Sequence, residues 1–167
     1  MENIWDNLSN LPEWDDAGFR RIDDEGGDTW KESGARDACK ALYNQWREVM
    51  AGINGLFSYA RQHADMPEGF LHSHKSMILD EARQVAVKVR SSDAAGFYVL
   101  QMENAAIIRK SAQFVATQIL AMADMGFIEA AHAAAVRADI DRFRLLFRTW
   151  IGTFQKDDYE DEWGFFV

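Results

Sequence analysis

The sequence predicts an all-α protein, an antiparallel up-down-up-down four-helix bundle with acidic, aromatic-rich N- and C-terminal segments. Three observations lead there. Only two prolines, Pro12 and Pro67, interrupt the 167 residues, so long helices are permitted almost everywhere. Apolar residues recur in steps of three and four between Thr29 and Asp157, and no alternating valine-, threonine- or aromatic-rich run suggests a strand. The stretches between these periodic segments are short, which makes consecutive helices antiparallel neighbours.

The expected organisation is an N-terminal segment over 1–29, a bundle over 30–156 and a tail over 157–167, with helices at about 30–63, 68–90, 93–125 and 127–156. Thr29 with Glu32 fits a capping box at the start of the first helix. Its apolar line runs Ala35, Ala38, Leu42, Trp46, Val49, Ile53, Leu56 and Ala60. The second helix begins past Pro67 and turns Leu71, Ile78, Ala82, Val85 and Val89 inward. A turn at Ser91–Asp93 caps the third, whose inner line is Phe97, Ile108, Ala112, Val115, Ile119 and Met122, with Val99 on the outer side and Gly126 as C-cap. The fourth buries Val136, Ile140, Phe143, Phe147, Trp150 and Phe154. Gln101, Asn104, Ser111 and Gln118 border the inner face of the third helix and are expected to hydrogen-bond across helices.

A hydrophobic content of 48% and this length are sufficient for one domain with its own core. Cys39, the single cysteine, cannot form an internal disulfide and falls on the apolar side of its helix. No stretch reaches the ~18 apolar residues of a membrane span, so a soluble cytoplasmic protein without a membrane partner is expected. The net charge of −9 is unevenly placed. Residues 1–30 carry −7 and residues 156–167 carry −4, which leaves the helical body at +2. Acidic ends on a nearly neutral body lack the concentrated basic patch that nucleic acid requires, and suit a basic protein partner.

Connectivity places all four histidines at one end of the bundle. His63 closes the first helix, His72 and His74 open the second, and His132 lies in the first turns of the fourth. With Glu129 they form a candidate transition-metal site, since imidazole and carboxylate suit zinc, iron, nickel or copper. Glu129 and His132 make a Glu-x-x-His, but a ferritin-like di-iron site needs two such motifs and only one is present. His72 with Lys75 does not complete a phosphotransfer pattern, because Ser76 stands where that pattern has glycine. There is no glycine-rich phosphate loop, nucleophile elbow or Cys-x-x-Cys pair, so no cofactor and no catalytic residue is assigned.

Both tails interleave acids with large aromatic residues and emerge opposite the histidines. They can fold back, with acids near Arg142, Arg144, Arg148 and Lys156, or present a docking surface; the two are compatible. The resulting expectation is a non-enzymatic interaction module: an adaptor, inhibitor or immunity-type binder of a basic partner. It would bind through Trp5, Trp14, Tyr159, Trp163, Phe165 and Phe166. The alternative is a metal-binding bundle using the histidine end, and self-association into a homo-oligomer is a third reading.

Overall fold

The structure, a computed structural model, describes residues 11–15, 29–92 and 96–165. Among them are four α-helices and no strand: α1 (Thr29–Ser58), α2 (Phe70–Ser92), α3 (Tyr98–Asp124) and α4 (Ala130–Ile151). Each helix packs on its neighbours around a square, α1 on α2, α2 on α3, α3 on α4 and α4 back on α1. This is the up-down-up-down bundle that short connections dictate. No helix among the described residues is long and apolar enough to cross a membrane. The capping-box side chains of Thr29 and Glu32 lie outside the described residues.

The core follows the helical periodicity. Leu42, Trp46, Val49, Ile53 and Leu56 are buried on α1, and Ile78, Ala82, Val85 and Val89 on α2. Ile108, Ala112, Val115, Ile119 and Met122 come from α3, and Val136, Ile140, Phe143, Phe147 and Trp150 from α4. Cys39, Tyr43, Met50 and Phe57 are also buried, so the apolar stripe of α1 is wider than one line.

Polar atoms inside this core fix how the helices slide against one another. Trp46 is fully buried, and its indole N–H donates to the Ala82 carbonyl at 2.7 Å. The other side of that ring lies against Phe143, with centroids 4.6 Å apart. Cys39 Sγ meets the Val89 carbonyl at 3.3 Å, and Gln45 Nε2 donates to the Asp139 carbonyl at 3.2 Å. Ser111, fully buried as well, donates to Gln84 Oε1 at 3.3 Å across the α2–α3 seam. A buried hydroxyl without a partner is destabilising by about 1–3 kcal/mol, so this contact favours one alignment.

The helix ends differ from the sequence expectation in several places. α1 stops at Ser58 rather than His63: Tyr59 and Ala60 make short-range bonds to Leu56 and Phe57, and Arg61 N–H then donates to the Phe127 carbonyl at 3.0 Å. That bond ties the α1–α2 junction to the α3–α4 junction. α2 continues through Ser91 to Ser92, where a turn was expected; Asp93 lies outside the described residues. α4 begins at Ala130 because Phe127 and Ile128 are buried as connection, and it ends at Ile151, short of 156.

Met125, not Gly126, is the cap residue of α3, and Gly126 follows it one position on. The φ of Gly126 is 78°, with Gly126 N–H on Ala123 O and Phe127 N–H on Met122 O. At its other end Phe97, expected inside, is 48% exposed, and Val99, expected outside, is only 6% exposed. Val99 and Ile108 are nine residues apart, about 180° on a helix at ~100° per residue, so Val99 does face away from the shared core. There it lines a hollow together with Lys156–Glu160 of the chain that follows α4.

Replacing Trp46 with alanine removes a fully buried tryptophan and an inter-helix hydrogen bond together. The expected loss is about 3–5 kcal/mol in urea unfolding, the range for deleting a large core aromatic.

Candidate interaction surface and the histidine end

Three of the four histidines are engaged locally. His63 Nε2 lies 3.0 Å from the Gly126 carbonyl; a carbonyl only accepts, so that nitrogen carries the hydrogen. The His63 ring lies 5.1 Å from Phe127, and Phe127 stacks on Phe70 at 5.5 Å. His74 Nδ1 donates to the Phe70 carbonyl at 3.0 Å, one turn back, and its ring rests on Phe70 at 4.0 Å. His132 Nδ1 is 3.5 Å from Glu129 Oε2 and its ring faces Tyr59 at 6.5 Å. His72 is exposed, two residues from half-buried His74 and therefore on another face of α2.

His63, His72, His74, Glu129 and His132 thus share an end of the bundle without converging. Among the described residues no three histidine, cysteine or acidic side chains are grouped to hold a metal ion. An open hollow of about 390 Å³ lies beside Tyr59, Arg61, Phe127, Glu129 and His132. Gln62 closes this end: its Oε1 accepts the Leu71 N–H at 3.0 Å and its Nε2 donates to the Pro67 carbonyl at 3.2 Å. The first turn of α2 is therefore capped by a glutamine nine residues upstream, a separation with no local signature.

The opposite end is closed by the C-terminal chain. Phe97, in the N-cap position of α3, supplies no side-chain cap. Asp157 does so from 59 residues away: its Oδ2 accepts the Tyr98 N–H at 2.8 Å, and its Oδ1 accepts the Tyr159 N–H at 3.2 Å. A carboxylate at a helix N-terminus also complements the helix dipole. The Tyr159 ring lies over Phe97, with centroids 4.7 Å apart. Upstream, Phe154 meets Trp150 edge-on at 4.6 Å, which anchors the exit from α4.

Beyond Tyr159 the tail makes a second closed turn. Gly164 N–H donates to the Asp161 carbonyl at 2.8 Å, and Phe165 N–H to Asp161 Oδ2 at 3.3 Å. Gly164 has φ 69°, a conformation glycine adopts without the clash a Cβ brings. Trp163 sits on this turn and is 84% exposed; Phe165 and Tyr159 are more than half exposed. Asp158, Glu160 and Glu162 are exposed around them. Two of the arginines expected near the tail acids pair along α4 itself: Arg142 with Asp139, and Arg144 with Asp141 at 3.5 Å.

The N-terminal segment behaves differently. Trp14 is half-buried, with its ring edge-on to Tyr43 at 5.5 Å. Tyr43 Oη donates to the Pro12 carbonyl at 3.0 Å, and Glu13 is 4.0 Å from Arg47. Trp14 is therefore part of the packing on α1, not of the exposed aromatic surface at the tail. Trp5 and Phe166 lie outside the described residues. No family model matches the chain, and neither the curated proteins nor the solved structures contain a match.

Two measurements check these contacts. Asp157→Ala removes the cap of α3 and is expected to lower stability by about 1 kcal/mol in urea unfolding, with Asp157→Asn losing less because it keeps an acceptor. Burial raises the Tyr43 phenol above its ordinary value, against the opposing charges of Arg90 and Arg47. The folded state therefore holds the phenolic proton more tightly. The stability linked to it is fully present below pH ~10, the unfolded value, and is lost as pH rises through the higher folded value. Tyr43→Phe is expected to show a shallower loss of stability above pH ~10 than the parent chain.

Proposed function

We propose that the protein is a binding module that docks a basic protein partner through its acidic, aromatic C-terminal surface. It would serve as an adaptor or an inhibitor. The observation that carries this reading is Trp163, 84% exposed on a turn whose backbone is hydrogen-bonded and whose base is tied to α3 by Asp157. A free tryptophan ring in water forgoes roughly 2–3 kcal/mol of burial, which a partner pocket recovers. Tryptophan is among the residues that dominate binding energy when such a pocket closes over it.

The surrounding carboxylates supply the second half of the argument. Asp158, Glu160 and Glu162 accelerate encounter with a positively charged surface and repel acidic ones. Because Asp157 and Asp161 already hold the turn, less ordering entropy is lost on binding than a free tail would lose. Tyr159, seated on Phe97, and Phe165 extend the apolar area beside Trp163.

The test is a titration of the full chain with a lysine- and arginine-rich amphipathic peptide, followed through the Trp163 indole signal by NMR at two salt concentrations. The expected result is a shift of that signal, affinity that falls as salt rises, and at least a tenfold loss in Trp163→Ala. Equal binding by Trp163→Ala, or shifts confined to other surfaces, would reject the reading.

A further inference from the structure

A Glu-Trp pair occurs twice in this chain, at Glu13–Trp14 and Glu162–Trp163, and of these two only the first is seated. Glu13–Trp14–Asp15 lies against the α1–α2 side of the bundle, whereas Asp161–Glu162–Trp163 stands free at the tail end. The seat of the first copy has three parts. The Tyr43 hydroxyl donates to the Pro12 carbonyl, a backbone contact that any peptide can supply. The Tyr43 ring receives the tryptophan edge-on. Arg47 stands 4.0 Å from Glu13, and Arg90 of α2 also lies beside the Tyr43 hydroxyl. The seat is thus aromatic and basic, and its chemistry answers a carboxylate next to an indole.

We infer that this seat is a receptor for an acidic tryptophan motif, filled in cis by Glu13–Trp14 and open to Glu162–Trp163 of a second copy of the chain. The second copy is the occupant because the chain carries the matching motif itself, with complementary charge and an exposed ring. The same chain's Trp163 is badly placed for it. Tyr43 lies about 14 residues, or roughly 20 Å, along α1 from Thr29, while Asp157 holds the tail at the start of α3. The tail-to-seat contact joins two different surfaces, so two copies close into a dimer when each seats the other's tail. The cis segment has the advantage of a high effective concentration, so the intact chain remains mostly monomeric. Freeing the seat shifts the balance.

The inference shares with the proposed function only the availability of Trp163 for docking. Its test is sedimentation of the full chain across a concentration series, for the parent, Trp14→Ala and the double variant Trp14→Ala/Trp163→Ala. Trp14→Ala is expected to tighten dimerisation at least fivefold, and the double variant to sediment as a monomer. A second measurement does not depend on how Trp14→Ala folds. A synthetic peptide of residues 156–165 is added to the parent chain, and the Tyr43 ring signals are followed by NMR. They are expected to shift with this peptide and not with its Trp163→Ala form. A Trp14→Ala chain that folds yet sediments as the parent does, dimerisation that survives in the double variant, or Tyr43 signals indifferent to the peptide would each overturn the inference. A chain that binds the basic peptide but gives these negative results loses this inference alone. One that dimerises through Trp163 without binding the basic peptide loses only the earlier reading.

Discussion

Trp46 has no water to satisfy its indole N–H, so the Ala82 carbonyl must do it, and Phe143 must close the other side of the ring. Three helices are held by one side chain. Once α1 is aligned with α2 and α4 in this way, the remaining seams have little freedom to slide. Ser111 reaches Gln84, and Gln45 reaches the Asp139 carbonyl. The alignment also determines which loops meet. Arg61 can bond the Phe127 carbonyl, and Asp157 can reach the first amide of α3, only if the helices end level with one another.

The two ends use that alignment differently. At the histidine end the junctions close on each other through Gly126, Phe127, Phe70 and Gln62; His63 and His74 donate to backbone carbonyls, and His132 lies beside Glu129. At the tail end closure comes from a carboxylate, and the chain then turns outward again. Aromatic area is retained there instead of buried: Phe97 and Tyr159 cover each other in part, while Trp163 and Phe165 face solvent.

Much of this was legible from the residue pattern. Steps of three and four identify the core lines of all four helices, and an even number of antiparallel helices brings the histidines to one end and the tails to the other. The misses have common causes. Phe97 and Val99 exchange places because the folded-back tail buries a residue on the outer face of α3, and helical phase carries no information about a tail. Asp157 and Gln62 act as caps at sequence separations of 59 and nine, whereas capping signatures span only a few residues. The histidines share an end but not a point, since ring direction depends on local partners such as the Gly126 and Phe70 carbonyls. Among the described residues the two tails, alike in composition, part company where Pro12–Trp14 meets the buried Tyr43, whose hydroxyl donates to the Pro12 carbonyl.

Asp157 and Asp161 make the acidic, aromatic tail a built surface rather than a loose chain. Residue-resolved amide hydrogen exchange of the full chain tests this most directly. The amides of Tyr98, Tyr159, Gly164 and Phe165 each donate to Asp157 or Asp161, so they should exchange more slowly than their unstructured rates, with Tyr98 the slowest. Exchange of Tyr159, Gly164 and Phe165 at unstructured rates, with the bundle amides still protected, would contradict it.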